Sequence, residues 1–217
     1  MFHNKLVRYI AIIGICILGI VILGLKNFMF IKPINPEKTD DMRVGVIDGH
    51  ISKNYDIIAQ KRVLTYETKK THGDHVLDFL MQYAPNLDYY YYDAEVENGL
   101  STENILYGLE WMKDNDVNCV SVSLSSKYYS DKLETWIEDN RREIKVYASY
   151  NNELNSMDYP AMYKGAIGIG SSKKINSKKS DVIFHTNKII MIGNGINYYH
   201  GNSYLTPYTM IKENSIQ

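Results

Sequence analysis

Strand-like and helix-like hydrophobic patterns alternate along most of the chain. "RVGVID", residues 43–48, is a short and mostly apolar run of the kind that forms a buried strand. Apolar residues recur at helical spacing from His72 to Tyr83, and a strand pattern follows in "LDYYYYD", residues 87–93. The pattern then predicts helices at residues 101–115 and 131–140 and strands at residues 117–124, 144–149, 165–171 and 188–193. A last helix is predicted to start near Ser203. This order predicts an α/β domain with a parallel sheet flanked by helices.

The N-terminal region carries a different pattern. "YIAIIGICILGIVILGL", residues 9–25, is 17 residues long, with no charge and no polar stripe. As a helix it would extend about 26 Å, close to the thickness of the hydrocarbon core of a bilayer. We predict a transmembrane signal anchor, because no small-residue cleavage site follows the run. A cleaved signal peptide and a buried soluble helix stay open as alternatives.

Charges near this apolar run give its expected orientation. Lys5 and Arg8 precede the run and favour a cytoplasmic N-terminus, although Lys26 and Lys32 follow it and weaken the bias. The predicted location is therefore the cell membrane, crossed once, with the globular domain outside the cell.

The chain divides into three predicted segments. Residues 1–25 form the cytoplasmic tip and the anchor, and residues 26–42 form a linker that contains two prolines and the polar run "PEKTDD". The compact domain is expected over residues 43–217.

Composition narrows the classes of function. The chain has 217 residues, enough for one globular domain with its own core, and it carries 24 basic and 25 acidic side chains. This near balance argues against a nucleic-acid-binding protein, which would normally carry a basic excess. The two cysteines, Cys16 and Cys119, have no metal-site spacing and are not expected to form a disulfide with each other.

Polar residues suited to hydrolysis lie at the ends of predicted elements. Asp48 ends the first strand, and His72 opens a helix. The pair Asn151–Asn152 follows a later strand, and Ser203 lies in a Gly-x-Ser turn before the last helix. Serine hydrolysis needs an attacking hydroxyl, an imidazole base, a carboxylate that orients the imidazole, and donors for the oxyanion. The chain offers a candidate for each role, although each residue alone is also typical of an ordinary strand end, helix start or turn.

Five motifs, in order, resemble those of the subtilisin-like serine proteases. "VGVIDG" resembles the strand that ends in the catalytic Asp, "THGDHV" the helix start with the catalytic His, and "GNSYLTPY" the Gly-x-Ser turn with its later proline. Between them, "LEWMKDNDVNCVSVSLSS" resembles the segment before the substrate-binding edge, and "VYASYNNELNSMDYPAMYKGAIGIGSS" resembles the segment with the oxyanion asparagine. The resemblance implies a catalytic triad of Asp48, His72 and Ser203. It also implies that Asn152 donates to the oxyanion beside the Ser203 N–H.

The resemblance implies a serine endopeptidase that acts on a peptide or protein substrate, and together with the predicted anchor it leads us to expect a membrane-anchored enzyme that processes, for example, an exported peptide precursor. We expect no cofactor, no metal, because no acidic loop has calcium-type spacing, and no nucleic-acid partner, because charge is balanced. The oligomeric state stays open. One alternative is a catalytically inactive subtilisin-like domain that acts as a membrane-tethered peptide-binding or regulatory module. Another is an esterase, because the same groups could hydrolyse esters.

Several positions depart from the family pattern and bear on catalysis more than on fold. Gly49 and His50 follow Asp48 where a small hydroxyl residue and a glycine are usual, and Asn202 precedes Ser203 where threonine is usual. Asp74 replaces the usual threonine of the histidine motif, and its charge would tend to raise the pKa of the nearby histidine. The chain ends 14 residues after the candidate nucleophile, which favours the inactive alternative.

Overall fold

The predicted membrane segment falls almost wholly in a part of the chain without a structural description. The computed structural model describes residues 24–35, 42–62, 69–96, 99–152, 158–171 and 182–215. Of the predicted segment, residues 9–25, only the last two belong to these ranges. Among the described residues, no helix has both the length and the apolar character that a bilayer crossing requires. The anchor, its orientation and the boundaries of the three segments stay predictions.

The described part of the chain contains twelve strands and four helices. The strands are β1 (Met29–Ile31), β2 (Arg43–Asp48), β3 (Ala59–Arg62), β4 (Asp88–Asp93), β5 (Glu95–Val96), β6 (Gly99–Leu100), β7 (Cys119–Val122), β8 (Lys145–Ser149), β9 (Ile167–Gly170), β10 (Val182–Phe184), β11 (Lys188–Ile192) and β12 (Ile196–His200). The helices are α1 (His72–Tyr83), α2 (Thr102–Asp114), α3 (Asp131–Asn140) and α4 (Asn202–Asn214).

The main sheet has seven strands in the spatial order β10-β9-β8-β7-β2-β4-β3, and every neighbouring pair in it is parallel. Val46 of β2 packs into a buried cluster with residues of α1 and α4, whereas Ile47, the next residue, packs with residues of α2 and α3. The tyrosines of β4 alternate in the same way: Tyr89 and Tyr91 face the first cluster, and their neighbours face the second. The predicted parallel α/β architecture, with helices on both faces, is therefore confirmed.

A second, smaller sheet consists of β1, β11 and β12. β1 lies within residues 26–42, the segment predicted to be a linker, and it pairs in parallel with β11. Ile31 is buried, and the N–H of Ile34 donates to the carbonyl of Tyr83 at 2.7 Å. The structure differs from the predicted linker here because the apolar run "FMFI" has a partner strand that is distant in sequence.

Candidate active site

Asp48 and His72 form a hydrogen-bonded pair at the carboxyl edge of the main sheet. Asp48 is the last residue of β2 and is fully buried, whereas His72 is the first residue of α1 and keeps 48% of its side chain exposed. Nδ1 of His72 lies 2.7 Å from Oδ1 of Asp48, which also accepts the N–H of Gly49 at 2.6 Å. A carboxylate that holds Nδ1 leaves Nε2 as the ring nitrogen that can accept a proton.

The second carboxylate oxygen of Asp48 is buried, and among the described residues it has no hydrogen-bond partner. One departure from the family pattern accounts for the missing partner. Gly49 follows Asp48 where a hydroxyl side chain is usual, and glycine has no side-chain donor. The carboxylate is consequently held through one oxygen, by His72 and by the backbone.

Asp48 raises the pKa of His72 above its ordinary value of 6.5, mainly through the hydrogen bond and also through its charge, while burial of the ring lowers this pKa. The sequence led us to expect that the charge of Asp74 would contribute to the raised pKa. The structure differs: Asp74 is not among the causes, because its carboxylate faces away into a hydrogen-bond network of its own.

This network, which we call the Asp74 clamp, consists of Asp74, Ser52, Tyr55 and Thr71. The Asp74 carboxylate accepts from Ser52 Oγ at 2.7 Å, from the Thr71 N–H at 2.8 Å and from the Tyr55 hydroxyl at 3.0 Å. Thr71 is the N-cap of α1, and its side chain accepts the Asp74 N–H in return, which completes a capping box. Burial alone raises the pKa of Asp74, but these donors together lower it below its ordinary value. The clamp ties the loop after Asp48 to the start of the helix that carries His72.

A second histidine–carboxylate pair lies behind the first. His50 Nδ1 is 3.0 Å from Asp93 Oδ2, and both side chains are buried. Asp93 is paired with Asp48 in the register of β2 and β4, and the His50 N–H donates to Glu95 Oε2 at 2.7 Å. Burial raises the pKa of Asp93, although its hydrogen bonds with His50 and Glu95 oppose the rise. Sequence reasoning missed this pair. The available signal was Asp93, an aspartate at the end of the second predicted strand, as Asp48 is at the end of the first.

Ser203 is the second residue of α4, and hydrogen bonds through Ser123 link its backbone to the end of β2. Ser123 Oγ donates to the Ser203 carbonyl at 3.0 Å, and the Ser123 N–H donates to the Ile47 carbonyl at 3.3 Å. Gly201, the N-cap of α4, has φ of 131°, a conformation that favours glycine. This glycine makes the turn that brings the chain from β12 into the helix, with Ser203 partly exposed at its first turn.

Asn152 lies against the same helix start. Its Oδ1 accepts the N–H of Asn202 at 2.9 Å, and a Cβ placed on Gly201 would lie 3.6 Å from Asn152 Nδ2. Asn202 Nδ2 in turn donates to the backbone carbonyls of Tyr150 and Asn151, at 2.8 and 3.2 Å. The bond to the Asn202 N–H fixes the orientation of the Asn152 amide, whose NH₂ group carries its only hydrogen-bond donors. Asn202, a departure from the family pattern, therefore joins the Asn152 loop to the start of α4.

The structure thus brings Asp48 and His72 into direct contact and holds Ser203 and Asn152 at one helix start beside the end of β2. The catalytic roles of all four residues stay predictions. Within the described ranges, no group of three or more His, Cys, Asp or Glu side chains is arranged to hold a metal ion.

Comparison with known proteins identifies the family. The profile of the subtilase family, peptidase family S8, matches residues 44–215. The "Thermostable alkaline protease" of Halalkalibacterium halodurans is 25% identical over 185 residues, which is 76% of this chain and 51% of that protein. The "Alkaline protease" of Alkalihalobacillus alcalophilus is 32% identical over 100 residues, which is 45% of this chain and 26% of that protein. The chain therefore spans at most about half the length of these relatives.

Solved structures show the same fold at low sequence identity. A structure of the prenylagaramide maturation protease PagA aligns with a TM-score of 0.62 and 18% identity, over 78% of this chain and 72% of that chain. The PatG macrocyclase in complex with peptide aligns with a TM-score of 0.59 and 11% identity, over 78% and 73%. The parallel sheet, the order of the motifs and the family profile agree, and the chain belongs to the subtilase family.

Proposed function

We propose that this protein is a serine endopeptidase, anchored in the cell membrane by residues 9–25, with its peptidase domain outside the cell. The observation that carries the peptidase part is the 2.7 Å hydrogen bond between buried Asp48 and half-exposed His72. In a member of the subtilase family, this pair supplies the base and the group that orients it.

The proposed reaction begins with attack of Ser203 Oγ on the carbonyl carbon of the scissile peptide bond. Nε2 of His72 takes the hydroxyl proton, and the negative charge of Asp48 stabilises the imidazolium that forms. The same proton then goes to the leaving amine, and a water molecule hydrolyses the acyl-enzyme by the reverse sequence. Asn152 Nδ2 and the Ser203 N–H donate to the oxygen as its negative charge develops.

The proposed substrate is an exported peptide or protein precursor that is cut close to the membrane. The predicted anchor at residues 9–25 favours this choice, and so do two proteins with the same fold. PagA is a maturation protease, and PatG has been solved in complex with peptide.

The peptidase proposal is tested with the full chain in detergent, by peptide cleavage and by labelling with a fluorophosphonate probe. Wild-type protein is expected to cleave peptides and to take up the probe, and Ser203→Ala is expected to do neither. A folded wild-type protein that binds peptide but neither cleaves it nor reacts with the probe would instead be a tethered binding module. Cleavage of esters without cleavage of peptides would support the esterase alternative.

The anchoring proposal has its own test. Full-length protein is expected to stay with membranes through a carbonate wash. Recovery of all the protein as a soluble form that begins after Leu25 would show that residues 9–25 are a cleaved signal peptide.

A further inference from the structure

The small sheet of β1, β11 and β12 has large apolar side chains on both of its faces. Its inner face packs into the core, where Ile31, Ile189 and Met191 are buried. A sheet with one buried face normally alternates to polar residues on the other. Here most of the alternate residues are again apolar, and the polar ones are Lys188 and His200, which pair with each other at one end of the sheet.

We call the apolar alternate residues the outer face: Phe30, Ile190, Ile192, Ile196 and Tyr198. Phe30, Ile190 and Tyr198 lie side by side across the three strands, and Ile192 pairs with Ile196. Ile196 is 77% exposed, and Tyr198 is 56% exposed. Nine large hydrophobic side chains in the described part of the chain are exposed, and four of them belong to this one small surface. Such a concentration indicates a contact surface rather than scattered exposure.

The charged residues in the segments that form the small sheet are all basic. Residues 24–35 and 182–200, which contain the small sheet, include Lys26, Lys32 and Lys188 and no Asp or Glu. Lys188 lies in β11 on the same side as Ile190, and its Nζ is 5.7 Å from the centre of the Phe28 ring. The chain as a whole has a formal charge of −1, so this surface is a local basic excess. Apolar and aromatic side chains among lysines are typical of a surface that binds anionic lipid headgroups.

The position of this sheet in the chain favours a membrane as its partner. β1 begins four residues after Leu25, the end of the predicted anchor, and four residues can extend at most about 14 Å. Thr186 Oγ1 donates to the Asn27 carbonyl at 2.6 Å, which also attaches this lead-in segment to the domain. If the anchor spans the bilayer, the outer face cannot lie far from the bilayer surface. A symmetric contact between two copies through this face would instead bring the lysines of both copies together without acidic partners.

We propose that the outer face rests in the headgroup layer of an anionic membrane and holds the peptidase domain against it. This proposal depends on the proposed anchor but not on catalysis. β12 leads directly into the turn before α4, so Ser203 follows the end of this sheet by three residues. Docking would therefore position the candidate nucleophile within reach of a peptide that emerges from the membrane.

The test uses the full chain with Cys16→Ser, in which Cys119 is buried and unreactive. A nitrobenzoxadiazole fluorophore is attached at Tyr198→Cys on the outer face or, as a matched control, at Tyr107→Cys on α2. The two tyrosines are 56% and 54% exposed, so the variants differ in position and not in exposure. The protein is reconstituted in vesicles of phosphatidylcholine and phosphatidylglycerol that contain spin-labelled lipid.

We expect the label at Tyr198→Cys to be quenched severalfold more strongly than the label at Tyr107→Cys, and the difference to shrink in vesicles of phosphatidylcholine alone. Equal quenching at both positions, with the protein still bound to the vesicles, would overturn docking but leave the anchor intact. Failure of the protein to bind the vesicles would overturn both, and peptide cleavage by the same sample would report on the peptidase separately.

A result without vesicles would also overturn the proposal. In detergent, a label at Tyr198→Cys whose blue shift grows with protein concentration would show that a second copy covers the outer face.

Discussion

The two halves of the candidate site are held by different kinds of contact. Asp48 and His72 lie in a region of buried carboxylates, where the Asp74 clamp and the His50–Asp93 pair fix the loop and the helix start. Ser203 lies in a region held mostly by neutral groups: hydroxyl, amide and backbone groups hold the start of α4, and one buried carboxylate, that of Asp158, accepts the Asn151 N–H nearby.

This difference separates two ways of controlling activity. Buried carboxylates are costly to leave without partners, so the acid–base half should respond to pH and to the loss of single charges. Neutral hydrogen bonds fix positions without charge, so the nucleophile half should respond to changes of geometry and should depend little on pH.

The largest expected effect comes from removal of the proposed nucleophile, Ser203. Ser203→Ala should lower kcat by about 10⁶-fold, as the equivalent change does in subtilisin, because no other group can form the acyl-enzyme. Ser123→Ala is the matched control: it removes only the hydroxyl that donates to the Ser203 carbonyl. One neutral hydrogen bond stabilises by about 1 kcal/mol, so this variant should lose roughly tenfold or less in kcat/KM.

Steady-state cleavage of a fluorogenic peptide measures both variants. Activity of Ser203→Ala close to that of the wild type would remove Ser203 from the mechanism. If Ser123→Ala lost as much cleavage activity as Ser203→Ala, the position of the Ser203 backbone would matter as much as the Ser203 hydroxyl itself.

The next effect tests the donor to the oxyanion. Asn152→Ala should lower kcat by about 10²–10³-fold with little change in KM, because the donor acts only as charge develops on the oxygen. Asn151→Ala should have a smaller effect, since its contacts with Asp158 and Asn202 run through its backbone N–H and carbonyl, which alanine keeps. A loss confined to Asn151→Ala would mean that the donor is assigned one residue too far along the chain.

The sequence was sufficient for the central elements of the fold. β2, β4, β7 and β8 have continuous apolar runs, and the helices have clear periodicity, because these elements are buried on both faces or along one stripe. β1, β3, β5, β6 and β10 were missed, since each has only two to four residues. β1 also pairs with β11, which is distant in the chain, and such pairing leaves no local signal. β12 was missed for another reason: it forms a hairpin with β11 across Gly193–Gly195, a turn signal that our prediction did not use.

The sequence likewise predicted some features of the site and not others. Asp48, His72, Asn152 and Ser203 could be proposed because each lies at the end of a recognisable element. The role of Asp74 could not be predicted, because it depends on the direction in which one carboxylate points. Sequence adjacency to His72 suggested electrostatic coupling, whereas the structure shows a cap and a clamp.

The third prediction tests the Asp74 clamp through stability. Asp74→Asn replaces a buried carboxylate that several donors share, so it should lower the free energy of unfolding at neutral pH by about 2–3 kcal/mol. Asp78→Asn, on the same helix, removes a more exposed ion pair with Lys70 and should cost about 1 kcal/mol or less. Its Oδ1 also accepts from the Tyr55 hydroxyl at 3.2 Å, and an asparagine oxygen can keep that hydrogen bond.

The pH dependence of this loss has a definite sign. The pKa of Asp74 is lowered in the folded protein, so its contribution is present above the pKa of the unfolded chain and disappears as pH falls through the folded value. Urea unfolding of both variants across this acid range should show the difference between wild type and Asp74→Asn shrinking. A difference that stays constant as pH falls would mean that the clamp stabilises through packing rather than charge.

The smallest expected effect is a shift in the acid limb of the pH profile of kcat/KM. A protonated imidazole cannot take the proton of Ser203, so kcat/KM should fall as pH falls through the pKa of His72 in the free enzyme. Because Asp48 raises that pKa, the midpoint should lie above the ordinary value of 6.5. The same raised pKa means that His72 contributes stability below the pKa of the unfolded chain and loses it as pH rises through the folded value.

Two charge-removing variants separate the causes of this shift. In the Ser203→Ala background, ring NMR of His72 should show a lower pKa with Asp48→Asn, because the hydrogen-bonded carboxylate is gone. Asp74→Asn should leave the His72 pKa in place, since its carboxylate is directed at Ser52 and Thr71. If Asp74→Asn lowered the pKa as much as Asp48→Asn, the clamp and the acid–base pair would be one electrostatic unit. The acid–base half of the site would then contain three coupled groups, and its pH response could no longer be assigned to the Asp48–His72 hydrogen bond alone.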